Sequence, residues 1–204
     1  AGKTSVTNVL NRFYDIQKGS INIDTHSIKD VKLNSLREQI AFVQQEVFLF
    51  SDSIFNNITL YDEHISINKV EQAAKQIGIH DFISTLPGGY NYSVGERGVT
   101  LSTGQRQLIA FLRVYVRNPK ILILDEATSS IDTETEQLLQ NALEKLAINR
   151  TLIIIAHRLS TIRNADKILL FQDGKIIEQG THNYLMQQKG VYQRMYSTQQ
   201  FINK

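Results

Sequence analysis

Residues 121–124 are four consecutive aliphatic side chains, Ile-Leu-Ile-Leu, closed by two carboxylates, Asp125 and Glu126. A run of strand length with no polar alternation reads as a strand buried on both faces, which belongs in a parallel sheet flanked by helices. The two acids then stand at the carboxyl edge of that sheet, where open α/β folds bind their ligands. On these residues alone, the pair is equally compatible with the opening of the next turn.

The rest of the chain supplies the elements such a sheet needs. Val6, Val9, Leu10 and Phe13 recur at helical spacing and predict an amphipathic helix over about residues 3–14. Short strands are expected at 19–23 and 40–43. From about 53 to 117 the strand runs disappear, with Val70, Ala73, Ala74 and Ile77 on one helical face. Leu108, Leu112 and Val116 suggest a second helix there, and Pro87-Gly88-Gly89 marks a loop. Beyond the acids, Thr133 and Glu136 suggest a capping box for a helix with Leu138, Leu139, Ala142, Leu143 and Leu146 inward. A run at 152–155 and a hairpin turning at Asp173-Gly174 complete the pattern. Strands alternating with helices predict an α/β fold with a mostly parallel sheet, interrupted by an all-helical insert.

Composition narrows the function classes. A net charge of +2 on 204 residues, without a Lys/Arg-rich block, argues against a nucleic-acid partner. The absence of cysteine excludes disulfides and Cys-ligated metals. No apolar run approaches the ~20 residues that a membrane-spanning helix requires. The chain opens on Gly2-Lys3-Thr4-Ser5 ahead of an amphipathic helix, the closing part of a phosphate loop. Residue 1 is thus expected to lie already inside a motif, so no leader segment is read before it.

The deciding segment is Leu101-Ser102-Thr103-Gly104-Gln105-Arg106-Gln107. It resembles the L-S-G-G-Q signature of the ATP-binding-cassette family, and it lies just upstream of the acidic strand, as it does there. The resemblance extends along the chain. Gln45 matches the family's Q-loop glutamine, Ser129-Ser130-Ile131-Asp132 its D-loop, and His157 its switch histidine. Residues 93–98, Ser-Val-Gly-Glu-Arg-Gly, are similar to the X-loop of the family's exporters. His26, His64, His80 and His182 match no motif, and Phe48, Phe50 and Phe55 read as core or interface packing rather than an adenine stack.

What the resemblance implies is specific. The fold would be a P-loop NTPase (RecA-like) core over residues 1–53 and 118–204, with an inserted helical subdomain at 54–117. The upstream half of the phosphate loop, its feeding strand and the adenine-stacking aromatic are expected before residue 1. Gly2, Lys3, Thr4, Ser5 and Gln45 would bind ATP phosphates, with Thr4, Gln45 and Asp125 holding Mg²⁺. Glu126 would polarise the attacking water and His157 would contact the γ-phosphate. Ser102, Thr103, Gly104 and Gln105 would reach the ATP of a second nucleotide-binding domain, across an interface that Asp132 also crosses. The chain would hydrolyse ATP at the cytoplasmic face of a membrane and drive export through a transmembrane domain, expected on the same full-length chain. A soluble ATPase of DNA repair or translation is the alternative. One departure matters: Thr103 stands where the family has glycine, and a β-branched side chain crowds a close approach to phosphate. With Asp125, Glu126 and His157 all present, that asymmetry favours a heterodimer over a homodimer.

Overall fold

The structure, a computed structural model, describes residues 2–125, 131–156 and 162–202, and only the backbone of Thr4 and of residues 199–202. Glu126, Ser129, Ser130 and His157 lie outside the described residues. In chain order the elements begin with α1 (Lys3–Leu10), β1 (Asn22–Ile23), β2 (His26–Ser27), α2 (Leu33–Gln39) and β3 (Ile40–Val43). Four helices follow: α3 (Ile54–Thr59), α4 (Ile67–Ile77), α5 (His80–Thr85) and α6 (Thr103–Arg117). Then come β4 (Ile121–Asp125), α7 (Thr133–Ala147) and β5 (Thr151–Ile155). The hairpin β6 (Ile168–Gln172) and β7 (Lys175–Gly180) leads to α8 (His182–Gln187) and α9 (Val191–Ile202). The chain groups into two compact units, residues 38–153 and residues 1–37 with 154–204.

In the unit of residues 38–153, the sheet order is β3-β4-β5. Strands β3 and β4 run parallel, with Ile40 opposite Ile121 and Val43 opposite Leu124. Leu122, Ile123 and Leu124 are all buried, as the unbroken aliphatic run predicts. Helix α6 is the centre of the insert, contacting α3, α4 and α7. Leu108, Ile109, Ala110, Phe111, Leu112, Val114 and Val116 are buried around most of its circumference, the pattern of a helix enclosed by others. It stops at Asn118 in the left-handed region, and Pro119 follows, unable to continue it. The stripe Val70, Ala73, Ala74 and Ile77 on α4 is buried as expected.

In the other unit, β6 and β7 pair antiparallel through Asp173 and Gly174, both at positive φ, the geometry an Asp-Gly hairpin turn requires. Ile168, Leu185 and Tyr192 form its buried core. The Glu178 carboxylate accepts from the Val191 and Tyr192 backbone N–H groups at 2.6 and 3.0 Å, satisfying first-turn donors of α9.

Two elements are shorter than their sequence patterns. Helix α1 ends at Leu10 rather than near residue 14 because Arg12 turns into the left-handed region. Its guanidinium donates to the carbonyls of Ile28 and Val31, a long-range anchor that pulls the chain off the helical path and leaves Phe13 and Tyr14 exposed. The strand expected over 19–23 is only Asn22–Ile23, folded onto His26–Ser27. The positive φ of Asp24 closes this tight turn.

Candidate functional site

The phosphate-loop residues open α1. Gly2 caps that helix at φ 102, a left-handed conformation that glycine enters without steric cost, and as a cap it offers no side-chain oxygen to the first-turn N–H groups. Lys3 and Ser5 are exposed. A helix N-terminus that carries a lysine is chemically suited to phosphate oxygens.

The acidic edge belongs to the unit of residues 38–153. Because β3 and β4 run parallel with Val43 opposite Leu124, the chain leaves both strands at one edge. Asp125 is the last residue of β4, half-buried, and Gln45 sits exposed in the bend just past β3. Their carboxylate and carboxamide oxygens are hard donors, the set that Mg²⁺ prefers, and the Thr4 hydroxyl is of the same chemistry.

Beyond Gln45, the backbone is held firmly. Asn57, fully buried, donates to the Phe50 carbonyl at 3.0 Å and accepts from the Phe50 N–H at 2.8 Å. Arg113 donates from Nε to the Asn57 carbonyl at 2.8 Å; burial, helped by nearby Arg117, lowers its pKa to about 10, so it stays charged at neutral pH. Phe48, Phe50 and Tyr61 remain exposed, and Phe48 and Phe50 meet edge-to-face at 5.2 Å. Their neighbour Asp52 ties in the loop of residues 93–98, since its carbonyl accepts from the Val94 N–H at 3.0 Å.

The signature segment opens α6 with a full capping box. Ser102 Oγ accepts from the Gln105 N–H at 3.2 Å, while Gln105 Oε1 accepts from the Ser102 N–H at 3.0 Å. Ser102 and Thr103 are exposed, and Gly104 is buried. The box leaves the Thr103 and Gly104 N–H groups as first-turn donors without an intrahelical acceptor. Thr103 Oγ1 accepts from Arg106 Nη2 at 3.1 Å. Arg106 was not singled out by its sequence context, yet Nη1 also donates to the Leu101 carbonyl at 2.8 Å and the Gly98 carbonyl at 3.4 Å. It therefore bolts the loop of residues 96–98 to the signature; the only hint in the sequence is its place one turn after Thr103.

Asp132 caps α7, accepting the Thr135 N–H on Oδ1 at 2.8 Å. The expected capping box of Thr133 and Glu136 is thus replaced by a single cap one residue earlier, at Asp132. An ionised carboxylate is the better acceptor for first-turn donors, and it takes the cap position. The Thr135 N–H, and then its hydroxyl, hold the Asp132 carboxyl below the usual carboxylate range.

The chain is similar to proteins of known description. A family model described as ABC transporter matches residues 1–129. A protein described as a multidrug export ATP-binding/permease of Staphylococcus aureus strain NCTC 8325 / PS 47 is 50% identical over 97% of this chain. Its counterpart in the bovine strain RF122 is 49% identical over the same share. The chain spans about a third of the length of these curated relatives, 34%. Among solved structures, a bacterial Atm1-family ABC exporter with ATP bound matches with a TM-score of 0.89 at 44% identity, covering 97% of this chain and 35% of that one.

Proposed function

Because the chain belongs to the ABC transporter family, its family model matching residues 1–129, we propose that it is the ATP-binding and hydrolysing domain of a membrane exporter. Lys3, with the N–H groups around Gly2, Thr4 and Ser5, neutralises and orients the terminal phosphates. Thr4, Gln45 and Asp125 would hold Mg²⁺, which supplies charge neutralisation on the transferred phosphoryl group. Glu126, next in the chain after Asp125, polarises the attacking water, and His157 contacts the γ-phosphate. The observation that carries this reading is the shared edge at which Asp125 and Gln45 leave two paired parallel strands.

The signature supports a composite site. The α6 N-terminus exposes Ser102 and Thr103, and its capping box gives the Thr103 and Gly104 N–H groups no intrahelical acceptor. An outward anion-receptive end suits a nucleotide held by another nucleotide-binding domain, reached by Ser102, Thr103, Gly104 and Gln105 with Asp132 beside them. ATP closes that pair and hydrolysis reopens it, which drives the transmembrane domain. The domain organisation follows the same reading, with a core at 1–53 and 118–204 and the helical subdomain at 54–117. The relatives are described as ATP-binding/permease proteins, so the transmembrane domain belongs on the same full-length chain and this domain at the cytoplasmic face. Phe48, Phe50 and the 93–98 loop are its docking surface, being exposed aromatics and a loop fastened together through Asp52. The relatives' descriptions as exporters favour this over a soluble ATPase of DNA repair or translation.

The test is Glu126→Gln in the full-length protein. Mg-ATP binding is retained and turnover falls roughly 10²-fold, the loss expected for a general base; near-normal hydrolysis contradicts the assignment. Thr103 supports a second element, a heterodimer in which this chain supplies the intact acidic strand and the irregular signature. The full-length chain purified alone then hydrolyses ATP slowly until its partner is added. Brisk hydrolysis by a homodimer, with both sites occluding nucleotide equally, contradicts it.

A further inference from the structure

Gly104 has an ordinary helical backbone and lies in the first turn of α6, so its conformation does not require glycine. Its surroundings do. A Cβ at this position would overlap Thr135 Cγ2 and lie 2.9 Å from Ile131 Cγ2. Both are branch methyl groups held close to their own backbone; the Thr135 overlap is severe, whereas the Ile131 contact needs only a small shift. Thr135 belongs to the first turn of α7 and Ile131 immediately precedes its cap, Asp132. The missing side chain at 104 is therefore the space into which the start of α7 packs. Two capped helix N-termini, one carrying Ser102 and the other Asp132, are joined methyl-to-backbone at this point.

We propose that Gly104 is a positioning residue that locks the signature turn to the Asp132 turn, so that both face the opposing nucleotide site as one rigid piece. The proposal rests on the function assigned above, in which both turns meet that site. It gives Gly104 a different reason to be glycine from the approach of phosphate to backbone. A side chain here wedges the two helix starts apart and displaces either Ser102 or Asp132, and a displacement of about 1 Å is enough to cost up to 10²-fold in rate. Nucleotide affinity at the chain's own phosphate loop is untouched, because neither turn belongs to it.

The experiment compares Gly104→Ala, Thr135→Ser and the double variant in the full-length transporter. Thr135→Ser removes the obstructing methyl but keeps the hydroxyl and the N–H that Asp132 accepts. Gly104→Ala is expected to lower kcat about 10–100-fold with little change in KM for Mg-ATP. The double variant is expected to recover most of that loss, Ile131 yielding the remaining few tenths of an ångström. If Gly104→Ala does not fold, folding restored by Thr135→Ser reads the same contact, and failure to restore it overturns the proposal. Wild-type turnover in Gly104→Ala, a parallel loss of affinity, or a loss that Thr135→Ser leaves unrelieved also overturns it, the last placing the need for glycine in the phosphate's approach. Glu126→Gln run alongside separates the two readings: if it hydrolyses ATP normally, the assigned function fails rather than the packing of Gly104.

Discussion

The helix starts assigned to phosphate chemistry are built in two different ways. At α1 the cap is Gly2, left-handed, with no side chain closing the first turn. At α6 and α7 the caps are Ser102 and Asp132, each closing its turn with its own oxygen, and α6 adds the return bond from Gln105. At α1 the first-turn N–H groups meet no cap side chain, which suits them to an anion. The starts of α6 and α7 each have a first-turn donor closed by the cap side chain, and they are held together by the contact at Gly104. In the proposed function, the first region binds nucleotide and the second is a surface presented to nucleotide bound elsewhere.

The largest effect expected from this contrast is at α1. Lys3→Met removes the only cation of that turn and should lower ATP turnover by about 10²–10³-fold, the scale of losing a preorganised electrostatic contact. The fold should be unaffected, since Lys3 is exposed and makes no hydrogen bond or ion pair among the described residues. Steady-state hydrolysis together with a thermal melt checks both halves; a lowered melting temperature would mean that Lys3 supports the fold as well.

A smaller effect separates the two self-capped helices from each other. The folded-state pKa of Asp132 lies below its unfolded value, so its contribution to stability is fully present above the unfolded carboxylate pKa of roughly 4. That contribution disappears as pH falls through the lower, folded value. Asp132→Asn keeps a capping oxygen but removes the titration. Urea melts below about pH 5 should therefore show a slightly flatter acid limb for the variant. The Ser102 hydroxyl does not titrate in this range, so substitutions there should leave the acid limb unchanged. An acid limb identical in wild type and Asp132→Asn would show that the exposed carboxylate is not coupled to the fold.

Much of this architecture was legible because it is local. The aliphatic run at 121–124, the stripe on α4 and the Asp-Gly hairpin each declare themselves within a few residues. What escaped depends on contacts between distant segments. No periodicity reveals that Arg12 will reach Ile28 and Val31 and end α1 early. Nor does any motif show Arg106 gathering the Gly98 and Leu101 carbonyls, or the Thr135 methyl filling the space left by Gly104. The α7 cap was misplaced by one residue because Asp132 and Thr133 both suit the position, and only the geometry shows which oxygen meets the Thr135 N–H. Glu126 and His157, read from the resemblance, lie outside the described residues, so their roles rest on the chemistry of their motifs.

The central claim, that α6 presents the signature to nucleotide held by another domain, has one direct measurement. The described chain contains no cysteine, so Ser102→Cys in the full-length protein places a thiol at the exposed α6 start. Its labelling by a maleimide, followed by mass spectrometry of the peptide carrying residue 102, reports whether that turn is covered. The account predicts that Mg-ATP slows labelling strongly in the assembled transporter, and that the protection vanishes on dilution to separated chains or with Lys3→Met in the opposing site. Labelling at the same rate with and without Mg-ATP, under conditions where a binding titration shows the nucleotide sites filled, would contradict it.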